Sequence, residues 1–306
     1  MSAMRIFMTG GSGFVGRTVA GSLVGQGHEV TVLSRSAPRG PSSAAGIAYE
    51  LGDPRKPGKW QEKVAHHDAI INLAGASIFC RWTEANKQRI RESRIETTRN
   101  LVEALAGRKG KETALISASG TGYYGFRKEH GPREDASAGS DFLAVLSQDW
   151  EAEAQKAQQY GARVVVCRLG VVLGRDGGAL KKMAPAFRFG LGTQLGNGEQ
   201  WFSWIHESDL AHIFLFLVSR KDASGPVNCT APHPVQNRDF TRTLVRVLRT
   251  PTFLPPVPGK LLKLTLGEFA HVFLEGQCAV PARLLDLGFP FRFPTLEDAL
   301  GNLLAA

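Results

Sequence analysis

The sequence predicts an α/β fold in which a doubly wound parallel sheet carries helices on both faces. Over about residues 1–170, short apolar segments typical of strands alternate with longer amphipathic segments typical of helices. Several of the apolar segments, such as 68–75 (DAIINLAG) and 162–170 (ARVVVCRLG), are apolar on both faces, as expected of parallel strands buried on both sides. After residue 170 the alternation ends, and we expect a smaller, helix-rich lobe.

Hydrophobic periodicity and turn residues place the individual elements. Strands are predicted at residues 4–8, 29–33, 45–51, 68–75, 113–119, 162–170 and 226–231. Helices are predicted at residues 14–25, 83–106, 141–160, 207–219 and 237–248.

Composition limits the class of protein. The chain has 306 residues, of which 43% are hydrophobic and 21% charged, and these values are typical of a globular protein. Its four cysteines are scattered, so neither a disulfide framework nor a metal site is predicted. The net charge of +9 is spread along the chain and mixed with acids, which favours a solvated basic surface over a nucleic-acid site. With no apolar run of about 18 residues, and a glycine motif that starts within ten residues of Met1, we expect a cytoplasmic protein without a membrane partner.

A glycine-rich turn follows the first predicted strand. Gly10, Gly11, Gly13 and Gly16 satisfy the GxGxxG spacing, and an amphipathic helix and a second strand follow. Glycines in this place allow a tight turn and let the backbone approach a pyrophosphate at the positive end of the helix. The motif therefore predicts a Rossmann-type dinucleotide site. The alternative is that the glycines serve only close packing of helix and strand.

The end of the second strand bears on which dinucleotide is bound. An acid there would bind the ribose 2′-hydroxyl of NAD, whereas an arginine can pair with the 2′-phosphate of NADP. The chain has Ser34, Arg35 and Ser36, with Arg39 nearby and no acid before Glu50. This favours NADP (NADPH), with NAD as the weaker alternative; Arg35 could also be a solvated loop residue.

These motifs resemble those of the extended short-chain dehydrogenase/reductase superfamily, the NAD(P)-dependent epimerases and dehydratases. The matching segments occur in order: TGGSGFVG (9–16), Gly52-Asp53, NLAG (72–75), SASGTGYYG (117–125), RLGVVLG (168–174) and WIHESDLA (204–211). More specific phrases, among them RWTEANKQRIRESRIETTRNLVEAL and GGALKKMAPAFRFGLG, look like the atypical "epimerase family protein" branch, which carries its own small C-terminal domain. We therefore expect a NAD(P)-binding domain over 1–250, with substrate-side segments from about residue 171, and a C-terminal domain over 251–306.

The resemblance implies a set of cofactor contacts. It places Gly10, Gly13, Phe14 and Val15 at the pyrophosphate, Ser34 and Arg35 at the 2′-phosphate, Asp53 near the adenine, and Leu73, Ala74, Gly75 and Ser117 along the cofactor at the ends of strands. Ser117 and Asn72 could equally be polar caps at the ends of their strands.

The residues for chemistry depart from the superfamily pattern. Hydride-transferring members use a tyrosine and a lysine four residues apart on a helix, with a serine or threonine from the fifth strand. The helix expected to carry the pair has no tyrosine before Tyr160. Tyr124 and Lys128 have the spacing but lie in the preceding loop, so they need not share a face. Ser119 remains as the strand serine, and Tyr123 or Tyr124 as a substitute acid; both tyrosines could instead line the pocket without transferring a proton.

Two further features have a structural and a functional interpretation. His206 and Asp209 could form a catalytic pair, but a carboxylate in the first turn of a helix and a buried histidine are better explained structurally. The glycine-rich stretch 190–204 could be a mobile flap or an ordinary loop. The sequence thus favours an NADP(H)-dependent oxidoreductase or epimerase that acts on a small carbonyl, alcohol or nucleotide-sugar-like substrate, as a possible homodimer. The alternative is a catalytically degenerate NADP(H)-binding sensor that acts on a protein partner.

Overall fold

A computed structural model of the protein describes residues 3–36, 46–108, 112–126 and 131–305. Within these ranges the strands are β1 (Arg5–Thr9), β2 (Glu29–Ser34), β3 (Ile47–Leu51), β4 (Ala69–Asn72), β5 (Thr113–Gly120), β6 (Ala162–Leu169), β7 (Val171–Leu173), β8 (Trp201–Phe202), β9 (Trp204–His206), β10 (Gly225–Cys229), β11 (Val235–Gln236) and β12 (Gly276–Gln277). The helices are α1 (Phe14–Gly25), α2 (Trp60–Val64), α3 (Glu84–Ala104), α4 (Phe142–Gln155), α5 (Gly178–Arg188), α6 (Glu207–Ser219), α7 (Asn237–Leu248), α8 (Gly259–Leu266), α9 (His271–Leu274), α10 (Ala282–Asp286) and α11 (Leu296–Leu304).

Seven strands form one parallel sheet in the order β10-β6-β5-β4-β1-β2-β3. This confirms the predicted doubly wound fold. The strand order reverses between β1 and β4, and in such sheets ligands bind in the crevice outside the carboxyl ends of the two strands at the reversal.

Helices cover both faces of the sheet. Successive side chains of a strand point to opposite sides, so each strand contributes to the core on both faces. Ile6 and Met8 of β1 pack into a cluster with residues of α1 and α6, such as Leu23 and Phe214. Phe7 points the other way, into a second cluster formed with α2, α3 and α4. The largely apolar character of the central strands β1 and β4 follows from this double burial.

The later segments build a wall beside the carboxyl edge of the sheet. β7 pairs with β9, and a small sheet joins β11, β8 and β12, which brings the C-terminal region against residues 201–202. The predicted strand at 226–231 is β10, the seventh strand of the main sheet. α2 and α5 were not expected from the sequence.

The proline-rich stretch 251–258 packs on the glycine-rich segment that precedes β8. The main-chain nitrogen of Val257 donates to Gln194 O, and that of Gly196 donates to Val257 O, both at 2.9 Å. The 190–204 segment is itself ordered by packing, since Trp204 is fully buried and Gln200 nearly so. Its second half is therefore packed against the rest of the protein, while movement of the stretch as a flap stays a prediction. Within the described ranges, no helix has the length and apolar character needed to cross a bilayer.

Candidate active site

The glycine turn lies at the point where the strand order reverses. Gly10 has φ +70°, and a Cβ atom there would lie 2.6 Å from the carbonyl carbon and oxygen of Leu73. A Cβ atom on Gly16 would overlap Gly10 O. The turn after β1 and the chain after β4 therefore touch, backbone to backbone, and only glycine fits at Gly10.

The turn leaves the start of α1 open. Gly13 caps the helix in an extended conformation with no side-chain hydrogen bond, and no acid occurs in the first turn. The first main-chain N–H groups of a helix have no partner within it, and they carry the positive end of the helix dipole. Arg17, exposed one turn later, donates to Ser12 O at 2.8 Å. These groups can hold an anion such as a pyrophosphate. Phe14 and Val15, at the start of α1, line a cavity described below.

Arg35 follows β2, the neighbour of β1. Its side chain is exposed and has no ion pair with any described residue. Ser34 Oγ donates to Ser36 O at 2.8 Å, which shapes the turn that carries Arg35. Arg39 lies outside the described residues. Asp53, at the same edge after β3, accepts a hydrogen bond from Arg55 N at 3.0 Å.

Arg94 of α3 holds the chain after β4 in place. Its guanidinium donates to Ala76 O and Ile90 O, each at 3.0 Å, and lies 5.1 Å from the centre of the Trp150 ring. Burial lowers the pKa of Arg94 to about 10. A Cβ atom at Gly75 would lie 3.0 Å from Arg94 Cζ, so the loop and the guanidinium are in contact.

Asn72 and Ser117 form a buried network that ties strands together. Asn72 Oδ1 accepts from Thr9 Oγ1 at 2.7 Å, and its Nδ2 donates to Thr98 Oγ1 at 2.8 Å and to Ser117 Oγ at 3.3 Å. Ser117 is only 1% exposed. These contacts support the capping interpretation for both residues, while a contact between Ser117 and a cofactor stays a prediction.

A cavity of about 350 Å³ extends from the start of α1 past the end of β5. Ser119 of β5 lines it, as do Phe14 and Val15. The face of α4 toward the cavity carries no ionisable group: it consists of Leu143, Leu146, Ser147 and Trp150. The helix that the resemblance expects to carry a tyrosine and a lysine therefore presents apolar groups and one serine.

Behind the cavity, Ser119 begins a chain of hydrogen bonds. Ser119 Oγ donates to Glu151 Oε1 at 2.7 Å, and Arg168 holds the same carboxylate through Nε at 2.9 Å and Nη2 at 2.8 Å. Arg168 is almost completely buried. Burial acts to lower its pKa, but the hydrogen bonds and charge of Glu151, with a contribution from Tyr124, hold that pKa above the ordinary value of arginine. The pair keeps a carboxylate directly behind the Ser119 hydroxyl.

The two candidate tyrosines lie around Arg168, in or beside the same network. Tyr124 is 1% exposed; its hydroxyl donates to Asn228 Oδ1 at 2.7 Å and accepts from Arg168 Nη1 at 2.9 Å. Burial raises the pKa of Tyr124 to about 12, against the opposing effects of Arg168 and Asn228. Tyr123 stacks on Arg168, with the guanidinium carbon 3.4 Å from the ring centre. In the described part of the chain, neither tyrosine is among the residues that line the cavity.

Tyr124 lies on a 3₁₀ turn, Thr121–Tyr124, and Lys128 falls outside the described residues. The turn ends at Gly125, which has φ +68°, so Tyr124 is the last residue of its turn and is not inside a longer helix.

A second cavity of about 150 Å³ opens toward the C-terminal region. Gln200, Trp201, Phe273 and Gln277 line it, and Gln277 also lines the first cavity. Thr121, just after β5, donates to Gln277 Oε1 at 3.0 Å and so connects the Ser119 edge to β12.

His206 and Asp209 have structural partners, as the sequence favoured. His206 Nδ1 accepts from Ser208 N at 3.0 Å and its ring stacks on Phe293 at 3.9 Å; burial lowers the pKa of His206. Asp209 accepts from the main-chain nitrogens of Arg292 and Phe293 at 3.0 and 2.9 Å.

Four residues of the site have no function predicted from the sequence: Arg94, Glu151, Arg168 and Gln277. Gln200 enters the sequence predictions only as part of the 190–204 stretch. Arg168 offered a signal, because a charged residue inside an apolar strand requires a buried partner. Glu151 and Arg94 resemble ordinary polar residues of a helix, and the two glutamines carry no local signal.

Comparisons with known proteins show the family to which the chain belongs. A model described as the NAD dependent epimerase/dehydratase family matches residues 6–229, and one described as a domain of unknown function, DUF1731, matches residues 257–303. The chain is 41% identical over 303 residues to epimerase family protein YfhF of Bacillus subtilis, covering 99% of this chain and 98% of the relative. It is 38% identical over 301 residues to the chloroplastic SDR39U1 homolog of Arabidopsis thaliana, covering 98% and 86%.

Among solved structures, human epimerase family protein SDR39U1 (isoform 2) with NADPH is similar, with a TM-score of 0.85 and 33% identity, covering 98% of this chain and 99% of that one. UDP-glucose 4-epimerase of Thermus thermophilus, in complex with NAD, has a TM-score of 0.79 at 19% identity and covers 99% and 100%, a likeness of fold. The resemblance inferred from the sequence motifs is confirmed.

Proposed function

Because the chain belongs to the NAD-dependent epimerase/dehydratase family, we propose that it binds NADP(H) and catalyses hydride transfer to or from a small carbonyl or alcohol substrate. The observation that carries the proposal is the continuous cavity that runs from the start of α1 to Ser119. A dinucleotide bound at the glycine turn would have its reactive end in that cavity, beside a hydroxyl that is connected to a carboxylate.

The residues at the crevice fit the cofactor. Gly10 lets the turn after β1 pack directly against the main chain of Leu73, and the open start of α1 at Gly13 offers N–H donors to a pyrophosphate. Leu73, Ala74 and Gly75 border the same crevice and would lie along the riboses. Their main chain is held by the Thr9 and Arg94 contacts, so it presents a fixed surface.

Arg35 supports a preference for NADP(H). Its guanidinium is free of carboxylate partners among the described residues, and a planar fork of donors suits a phosphate. The crystal structure of human SDR39U1 contains NADPH. Ser34 and Asp53 stand at the same edge, where they would contact the adenosine.

When bound, NADP(H) would donate or accept the hydride. In the direction of alcohol oxidation, the lone pairs of Ser119 Oγ would accept the proton of the substrate hydroxyl while its own proton passes to Glu151. In carbonyl reduction the same protons would move in reverse. Arg168 holds Glu151 in place through two hydrogen bonds, and Tyr124 and Tyr123 position Arg168. This assigns the proton path to Ser119 and makes the tyrosines positioning residues.

The lack of ionisable groups on the cavity face of α4 favours a second function. The face of α4 toward the cavity, Leu143 to Trp150, has neither a phenol nor an ammonium group to assist proton transfer. A protein that binds NADP(H) without turning it over, and signals its redox state to a protein partner, is consistent with this face.

Nicotinamide absorbance separates the two functions. The protein is mixed with saturating NADPH and a panel of neutral aldehydes and ketones, and oxidation of the cofactor is followed over time. The enzyme function predicts turnover that falls by about 10²- to 10⁴-fold in Ser119→Ala, as expected when a proton-transfer group is removed.

Ser140→Ala is the matched control, because it makes the same change at an exposed serine in the segment before α4, and turnover should be unaffected by it. Tight NADPH binding with no oxidation across the panel would favour the sensor and contradict the enzyme.

A further inference from the structure

The C-terminal region forms part of the substrate side of the site. The cavity of about 150 Å³ shares Phe79, Thr121, Val272 and Gln277 with the cavity that contains Ser119, so the two are continuous. A cofactor that occupies the end near α1 would leave the smaller cavity free. A substrate that reaches Ser119 would then extend into it.

The lining of the two cavities is nearly uncharged. Among the described lining residues, the single ionisable side chain is Arg94. Its guanidinium already donates hydrogen bonds to Ala76 O and Ile90 O. The smaller cavity is lined by several aromatic and aliphatic side chains, Trp201 and Phe273 among them. A nucleoside diphosphate carries several negative charges and would need cations or multiple N–H donors to replace its hydration. Apart from Arg94, no described residue that lines the two cavities offers a cation.

Gln200 presents a fixed, unpaired acceptor. Both hydrogens of its Nε2 are used, in bonds to Leu195 O at 2.9 Å and Phe273 O at 2.7 Å, and these two carbonyls fix the orientation of the amide. The residue is 8% exposed, and its Oε1 is buried with no hydrogen-bond partner within the described ranges. A buried acceptor without a donor is unfavourable, so a donor from a ligand would be bound with a gain in affinity.

Gln277 presents a second unpaired group on the same wall. Its Oε1 accepts from Thr121, while its buried Nε2 has no partner among the described residues. Rotation of the amide by half a turn would exchange the positions of Oε1 and Nε2. The Thr121 hydroxyl can donate or accept, so it would then accept from Nε2, and Oε1 would be the group left without a partner. A Cβ atom on Gly122 would lie 3.5 Å from Nε2, so the free group faces the turn beside Ser119.

From these contacts we infer that the site binds an uncharged, mainly apolar substrate that carries a hydroxyl or N–H donor, with Gln200 and Gln277 as its specificity residues. The C-terminal region thereby acquires a function in substrate recognition through Gln277, Val272 and Phe273. The inference rests on the proposed function for the reaction itself, but binding can be measured without turnover.

Matched neutral probes test the inference. Calorimetry measures the Kd of 4-hydroxyacetophenone and acetophenone, and of 4-hydroxycyclohexanone and cyclohexanone, with and without NADP⁺; UDP and UDP-glucose are the charged probes. In at least one pair, the hydroxyl compound should bind about tenfold more tightly than its partner, the gain expected of one hydrogen bond to a buried group. This preference should disappear in Gln200→Met. It should persist in Gln159→Met, the same change at an exposed position.

Gln277→Met is the second variant, in case Gln200→Met does not fold, and it should weaken the hydroxyl probes by about tenfold as well. The inference is overturned if UDP or UDP-glucose binds more tightly than every neutral probe, if no neutral probe binds, or if both variants keep the preference for the hydroxyl compounds. Neutral probes that bind as expected without any NADPH oxidation would uphold the inference and remove the proposed enzymatic function.

Discussion

Tyr124→Phe decides whether the phenol that the sequence offered as an acid is instead a structural anchor. The variant removes one oxygen and keeps the ring. In the wild type that oxygen donates to Asn228 Oδ1 at 2.7 Å and accepts from Arg168 Nη1 at 2.9 Å. After the change, Arg168 Nη1 still donates to Glu134 O at 3.1 Å, whereas Asn228 Oδ1 loses its donor.

One buried acceptor left without a donor costs about 1–3 kcal/mol of the free energy of unfolding. The pH dependence gives an independent measure. Phenols in unfolded chains ionise near pH 10, and burial raises the pKa of Tyr124 to about 12. Because the folded-state pKa is the higher one, the stabilisation is fully present below about pH 10 and is lost as the pH rises through 12.

Urea denaturation of wild type and Tyr124→Phe at pH 8 and pH 11 measures both effects. The difference between the two proteins should be about 1–3 kcal/mol at pH 8 and should shrink at pH 11. Tyr123→Phe is the matched control, because the Tyr123 hydroxyl has no hydrogen-bond partner among the described residues and the ring on Arg168 is retained; its stability should change by less than about 0.5 kcal/mol.

Turnover in the NADPH assay completes the test. A positioning role predicts that Tyr124→Phe lowers kcat/KM by less than about tenfold, whereas loss of a general acid costs about 10²- to 10⁴-fold. A loss in the second range with unchanged stability would refute the assignment of Tyr124 as an anchor.

Three further changes test the cofactor crevice and the network behind Ser119. Gly10→Ala should lower the free energy of unfolding by about 1–3 kcal/mol and weaken NADPH binding, because φ is +70° and the new Cβ atom meets the main chain of Leu73; denaturation and calorimetry measure the two effects. Glu151→Gln should cost about 3 kcal/mol by urea denaturation, because it removes the counter-ion of the buried Arg168. Arg35→Ala should raise the Kd of NADPH about tenfold and leave that of NADH unchanged within about twofold, because only NADPH carries the 2′-phosphate.

Controls come from the same elements. A Cβ atom at Gly21 of α1 meets nothing within 4 Å, so Gly21→Ala should keep NADPH binding and stability. Glu103→Gln and Arg89→Ala change exposed residues of α3 and should have no effect. A stable Gly10→Ala variant with wild-type affinity, an unchanged stability in Glu151→Gln, or an equal loss of both cofactors in Arg35→Ala would each contradict the corresponding contact.

Much of the sheet could be predicted because its information is local. The double burial of the parallel strands makes 162–170 largely apolar, and α6 and α7 begin and end where the amphipathic pattern does. The glycine turn was recognisable because the backbone approach at Gly10 tolerates no side chain.

The remainder depends on contacts between distant residues. β8 pairs with β12, which lies far along the chain, and two-residue strands carry no periodicity. Glu151 looks like a solvated helix residue until the fold places Arg168 against it. The sequence likewise gives no sign that the Tyr124 hydroxyl is already hydrogen-bonded, because its partners Arg168 and Asn228 come from two other strands.

The proposed function requires that the crevice between β1 and β4 bind a nicotinamide dinucleotide that carries a 2′-phosphate. Calorimetric titration of the wild-type protein with NADPH and with NADH tests it most directly. We expect NADPH to bind at least about tenfold more tightly, with the difference shrinking toward an ionic strength of about 1 M, where charges are screened beyond about 3 Å. Equal affinities at all salt concentrations, or no binding of either dinucleotide, would contradict the claim.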